Sequence, residues 1–300
     1  MIRALTVMGS MLVNDGPSCE RTRMAGVEAL VARPQGGSGP AIVFANAATP
    51  HGIEQPAVGH LLRGLSRAGF VAVAPELPHV REGEVTPATV DALVEVARCA
   101  GPRVALIGAS TGAGLAILAA GDPRLANCVT AVMAIAPCAS LEQVLRLATT
   151  GFYGDHPYSA APLVAVATKR SLTASAPDDP AVPALVANRD PGRFDSLYGA
   201  LEPRTRALVD ELSPLARMPH VIAPVEIVSA PNDSFFPVGE ALALAGSGCD
   251  VRLTVTRALD HVRPRLRPGF VGVAAALDRT LKRAAQSERA PAFRPSPVPA

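Results

Sequence analysis

The stretch VALIGASTGAGLAILAA, residues 104–120, carries no charge. A membrane-spanning helix takes about 20 predominantly apolar residues. This run is shorter, and Gly108, Ser110, Thr111, Gly112 and Gly114 interrupt it. The pattern predicts instead a buried strand over 104–107, a sharp turn over 108–112 and a helix over 111–120. A serine at the tip of such a turn needs small neighbours two residues to either side, so that strand and helix can approach each other. Gly108 and Gly112 meet that need. The helix that begins just after the serine aims its unpaired N–H groups and positive dipole end at any negative charge formed near Ser110.

Outward from this unit the chain keeps alternating. On the amino-terminal side, strands are expected in GVEALVARP (26–34), PAIVFAN (40–46) and FVAVAPELP (70–78), with helices over 54–69 and 89–101, Thr89 serving as N-cap of the second. On the other side come CVTAVMAIAP (128–137) and PVEIVSAP (224–231) as strands, a helix over 238–248, the strand DVRLTVTRAL (250–259) and a closing helix over 270–285. Short valine-rich strands alternating with helices predict an α/β fold, a mostly parallel, doubly wound sheet covered on both faces. The segment between the strands ending near 137 and starting near 224 is far longer than the ~4–6 residues typical of a loop, so it must carry structure of its own. Its helical patches read as a small cap, and the aromatics Phe152, Tyr153 and Tyr158 read as part of the cap's own core. The expected organisation is an amino-terminal segment (1–24), a core (25–139 and 216–285), a helical cap (140–215) and a disordered tail (286–300) rich in proline and polar residues.

Composition narrows the function classes. Three hundred residues suffice for one large domain with an insertion. Lysine plus arginine number 28 against 26 acidic residues, a net charge of +2, and the arginines are scattered without an aromatic platform, which argues against a nucleic-acid partner. The cysteines, Cys19, Cys99, Cys128, Cys138 and Cys249, are odd in number and lack C-x-x-C spacing, so neither a disulfide framework nor a metal site is expected. No membrane span is expected. The opening MIRALTVMGSMLVNDG has an apolar run with no A-x-A-like cleavage site after it, giving a cytoplasmic expectation with secretion as the alternative.

A serine hydroxyl needs a base to take its proton, and that base needs an acid to fix its tautomer and stabilise its charged form. Residues just beyond the carboxyl ends of parallel strands point into one crevice. Asp233 follows one predicted strand and His261 the next. Glu142 is the alternative acid, whereas Asp260 adjoins His261 and should point away from its ring.

With Ser110, Asp233 and His261 in this chain order, the sequence resembles the α/β-hydrolases with an inserted cap, on GASTG (108–112), SAPNDSFFP (229–237) and ALDHVRP (258–264). The resemblance implies a nucleophile elbow at Ser110, an acid at Asp233 and a base at His261. It places one oxyanion donor at the N–H of Thr111 and the second in FANAATPHG (44–52), at Ala47 or failing that Ala48, where the usual His-Gly pair is replaced by Ala45 and Asn46. It implies acyl transfer to water without cofactor or metal, on a small-molecule ester or thioester. A lactonase or carbon-carbon bond hydrolase would keep the same three residues, and a non-catalytic binding protein is the reading from another class.

Overall fold

The computed structural model describes residues 2–13, 18–247, 250–265 and 267–286. The chain begins with α1 (Ile2–Val13), followed by β1 (Cys19–Met24), β2 (Val27–Ala32), β3 (Ala41–Ala45), α2 (Pro56–Arg67), β4 (Val71–Pro75), α3 (Pro87–Ala100), β5 (Val104–Ala109), α4 (Thr111–Ala120) and β6 (Val129–Ile135). The long connection then carries α5 (Leu141–Thr150), a two-stranded ladder of β7 (Phe152–Tyr153) and β8 (His156–Pro157), α6 (Pro162–Ser175), α7 (Val182–Ala187), α8 (Phe194–Gly199), α9 (Pro203–Glu211) and α10 (Pro214–Arg217). The chain returns through β9 (Val225–Ser229), α11 (Val238–Ala245), β10 (Val251–Val255), a second ladder of β11 (Leu259–Asp260) and β12 (Arg263–Pro264), and α12 (Phe270–Gln286).

Eight strands form one sheet in the order β1-β2-β4-β3-β5-β6-β9-β10. The β1-β2 and β2-β4 pairs are antiparallel and the rest parallel, so the fold is α/β with a mostly parallel sheet. Side chains alternate across it with the period of two that a strand imposes. In β3, Ala41, Val43 and Ala45 face one core with α3, α4 and α11, while Ile42 and Phe44 face a second core with α1, α2 and α12. Both faces are therefore covered, and every residue of β3, β5 and β9 is buried.

The sequence leaves residues 2–13 unpatterned. The structure makes them a helix whose Ala4 and Val7 are fully buried against α2 and α12, with Gly64 letting the backbone of Val7 come close. Helix α3 starts earlier than expected. Its N-cap is Thr86, whose hydroxyl accepts the Thr89 N–H at 3.3 Å, while the Thr89 hydroxyl accepts the Thr86 N–H, with Pro87 in the first turn. Thr89 is thus the third helical residue of a capping box rather than the cap. In the connection between β6 and β9, Leu145, Leu172, Leu185, Phe194 and Val209 make a core separate from the two beside the sheet. Phe152, Tyr153 and Tyr158 do not join it. The tail expected over 286–300 lies outside the described residues apart from Gln286, which ends α12. No described helix is long and apolar enough to cross a membrane.

Candidate active site

Strand β5 sits at the centre of the sheet, paired with β3 on one side and β6 on the other. Ser110 follows it directly, at φ 53° and ψ −120°, a backbone conformation that L-residues avoid. Helix α4 starts at the next residue. A Cβ on Gly108 would lie far inside 3.0 Å of the Gly112 carbonyl, and one on Gly112 equally close to the carbonyls of Ala45 and Asn46. The first glycine lets α4 fold back on its own strand, and the second lets it pass the end of β3. The Ser110 N–H donates to the Ile135 carbonyl at 2.8 Å, which anchors the strained residue to β6.

Asp233 lies just beyond β9, and His261 lies in the turn between β11 and β12, itself at φ 53°. The three side chains meet at the carboxyl edge of the sheet. His261 Nε2 is 2.7 Å from Ser110 Oγ, and His261 Nδ1 is 2.9 and 3.0 Å from the two carboxylate oxygens of Asp233. An ionised carboxylate can only accept, so Nδ1 carries the proton and the Nε2 lone pair faces the serine hydroxyl. All three residues are buried, at 6, 4 and 7% exposure for Ser110, Asp233 and His261. Asp233 Oδ1 also accepts the N–H groups of Phe235 and Phe236 at 2.7 and 3.2 Å, a side-chain turn that fixes the carboxylate before it meets the imidazole. The ring of Phe235 stacks on His261 with centroids 4.0 Å apart at 16°.

The other candidate acids lie elsewhere. Glu142 is in the first turn of α5, where its charge acts on Tyr198, whose hydroxyl is pushed up to about 12 by burial first and by Glu142 and Asp210 next. Asp260 is exposed and pairs with the Arg265 guanidinium, which holds its carboxyl below the usual range.

Thr111 and Ala47 both line the cavity above Ser110. Among the described residues no acceptor takes the Thr111 N–H. The Ala47 N–H donates to the side-chain oxygen of Asn46 at 2.9 Å, and the Asn46 amide in turn donates to the Gly52 carbonyl at 2.7 Å. An anion at Ala47 therefore has to displace that oxygen. No three described His, Cys, Asp or Glu side chains gather as metal ligands would.

Several site residues escape a reading of the sequence. The stretch between β8 and α6 clasps the segment that carries Asp233: the Tyr158 hydroxyl donates to the Asp233 carbonyl, and the Ala161 N–H donates to the Ser234 carbonyl at 2.7 Å. Burial first, and the Asp233 carboxylate second, push the Tyr158 hydroxyl up to about 12. Glu240 of α11 is buried and accepts the N–H groups of Ala139 and Ser140 at 2.7 and 3.0 Å. The Tyr153 hydroxyl packs over Gly239 beside it, raised by burial and then by the Glu240 charge. The adjacent SFF (234–236) is the one local hint of this arrangement, since Phe235 and Phe236 follow the acid directly.

No protein-family model matches the sequence, and no curated protein matches it significantly. Solved structures do. Acylaminoacyl peptidase of Pyrococcus horikoshii superposes with a TM-score of 0.56 at 13% identity, over 85% of this chain and 39% of that one. A puromycin hydrolase gives 0.60 at 16% identity, over 91% of this chain and 39% of its own. Est1E of Butyrivibrio proteoclasticus gives 0.56 at 13% identity, over 89% of this chain and 99% of its own. This chain thus spans about two fifths of the first two chains and matches nearly all of the third. What the chain shares with these hydrolases at such identities is architecture, and that architecture is the α/β-hydrolase fold.

Proposed function

We propose that the protein is a serine hydrolase that cleaves a carboxylic ester or thioester through an acyl-enzyme. The observation that carries this reading is the continuous hydrogen-bonded line from Ser110 Oγ through His261 to Asp233, buried at the carboxyl edge of the sheet. His261 Nε2 takes the proton of Ser110 Oγ as that oxygen bonds to the substrate carbonyl carbon, and the carbonyl electron pair moves onto its oxygen. The N–H groups of Thr111 and Ala47 hold the resulting oxyanion, and each such donor is worth about 10²–10³-fold in turnover. Asp233 keeps the proton on Nδ1 and stabilises the imidazolium. The intermediate collapses as the bond to the alcohol or thiol breaks, and His261 returns its proton to that leaving group. Water then repeats the cycle on the acyl-Ser110 ester and frees the acid. Residues 140–215 serve as the cap over a core of 25–139 and 216–285, excluding bulk water from the dipoles around Ser110.

The test is intact mass after treatment with a small fluorophosphonate, with wild type and Ser110→Ala in parallel. One adduct on wild type and none on the variant is the expected result. An unlabelled, folded wild type would overturn the mechanism, as would labelling that survives the substitution.

A further inference from the structure

The cavity over Ser110 has a volume of about 900 Å³, towards the upper end of the ~300–1,000 Å³ of ligand pockets. Its walls come from both sides of the sheet. Met8 of α1, Leu61 of α2, and Val273 and Leu277 of α12 line it from the core beneath one face. Leu118 of α4, beside the other face, lines it together with Leu145, Leu172 and Leu208 of the inserted helices. Ser110 stands at the end of β5, on the rim that the two sides share.

Charge is confined to one place. Apart from the histidines, the charged residues of the wall are Asp260 and Arg263, both on the exposed ladder of β11 and β12, where Asp260 already pairs with Arg265. The Ser171 hydroxyl in the wall is spoken for as well: it donates to the Ala167 carbonyl and accepts the Val85 N–H, each at 3.0 Å. A carboxylate or ammonium bound deep in the cavity would be desolvated with no Asp, Glu, Lys or Arg to pair with, a cost far above that of a neutral group.

Resting on the serine-hydrolase reading, we infer that the substrate is an uncharged ester with a sizeable apolar group on each side of its carbonyl. One group lies beside α2 and α12 and the other beneath the inserted helices, so acyl and alcohol portions are selected by separate walls.

Two series of neutral esters test this: straight-chain acyl groups from acetyl to dodecanoyl on one fixed alcohol, and alcohols of the same lengths on one fixed acyl group. In both, kcat/KM should climb with length by up to about fourfold per methylene, the equivalent of ~0.8 kcal/mol, until the wall is reached. Replacing the terminal methyl by a carboxylate should cost roughly a hundredfold or more. Leu61→Trp and Leu208→Trp, at two partly exposed wall positions, should each shorten the optimum of one series and not the same one. Hydrolysis through Ser110 that peaks at acetyl in either series, or that tolerates the carboxylate, would overturn the inference and keep the hydrolase. A wild type that takes the fluorophosphonate on Ser110 but cleaves none of these esters would overturn it too. Ester cleavage that survives Ser110→Ala would instead remove the reading beneath it. Should either Trp variant fail to fold, the two length series on wild type still decide the matter.

Discussion

The turn at Ser110 and the connection between β6 and β9 line the same cavity, yet they are built in opposite ways. At the turn, backbone packs on backbone: Gly108 and Gly112 leave no room for a methyl group, and the serine between them is held at a positive φ. The connection has a small apolar core of its own and reaches the site through the hydroxyls of Tyr158 and Tyr153 and the amides of Ala161, Ala139 and Ser140, the last two donating to the buried Glu240 of α11. One region is specified by what cannot fit, the other by partners far away in the chain.

Substitutions should separate the two kinds of construction. The largest effect belongs to the acid: Asp233→Asn should lower kcat by about 10⁴-fold with the fold retained, since the imidazole loses the group that fixes its tautomer. Steady-state kinetics and circular dichroism together check this, and Glu142→Gln alongside should stay within about twofold. If those two outcomes were exchanged, the acid would be Glu142. Next, Gly112→Ala should destabilise by about 3 kcal/mol, because carbonyl groups rather than flexible side chains stand in the way. A thermal scan would read that as roughly 6–12 °C. A melting temperature within a degree of wild type would show that the turn tolerates what its geometry forbids. Glu240→Leu should cost about 1–3 kcal/mol, as the buried N–H groups of Ala139 and Ser140 lose their common acceptor oxygen, which a thermal scan would read. The smallest change is Tyr158→Phe, which removes one hydrogen bond to the carbonyl of Asp233. A several-fold fall in kcat with KM unmoved is expected, and an effect on KM alone would make Tyr158 a substrate contact instead.

The same contrast explains what could be read without coordinates. Glycines two residues either side of a serine report a local steric demand, so the turn is legible wherever it falls in the chain. Asp233 is legible because it follows the buried run of β9, and His261 because it comes soon after β10, although a separate two-residue strand, β11, intervenes. Helix α1 is not, since its apolar residues acquire a buried face only when α2 and α12 pack against it. The misplaced cap of α3 has a similar origin. Thr86 and Thr89 are both able to cap, and Pro87, preorganised for the first turn, decides between them. Tyr153 and Tyr158 look like core residues of the insertion because their acceptors, near Glu240 and Asp233, lie some eighty positions downstream.

The clasp on residues 233–240 bears on how the site would behave under hydrogen exchange. The N–H groups of Phe235 and Phe236 are tied up by the Asp233 carboxylate, while the carbonyls of Asp233 and Ser234 are tied up by Tyr158 and Ala161 of the insertion. Lifting the insertion breaks the second set and frees the segment that makes the first. Deuterium uptake at those two phenylalanine amides is therefore expected to report any loosening of this segment, and on the serine-hydrolase reading such loosening would also release the carboxylate proposed to hold the proton on His261: an open molecule would be, for that moment, a disarmed one.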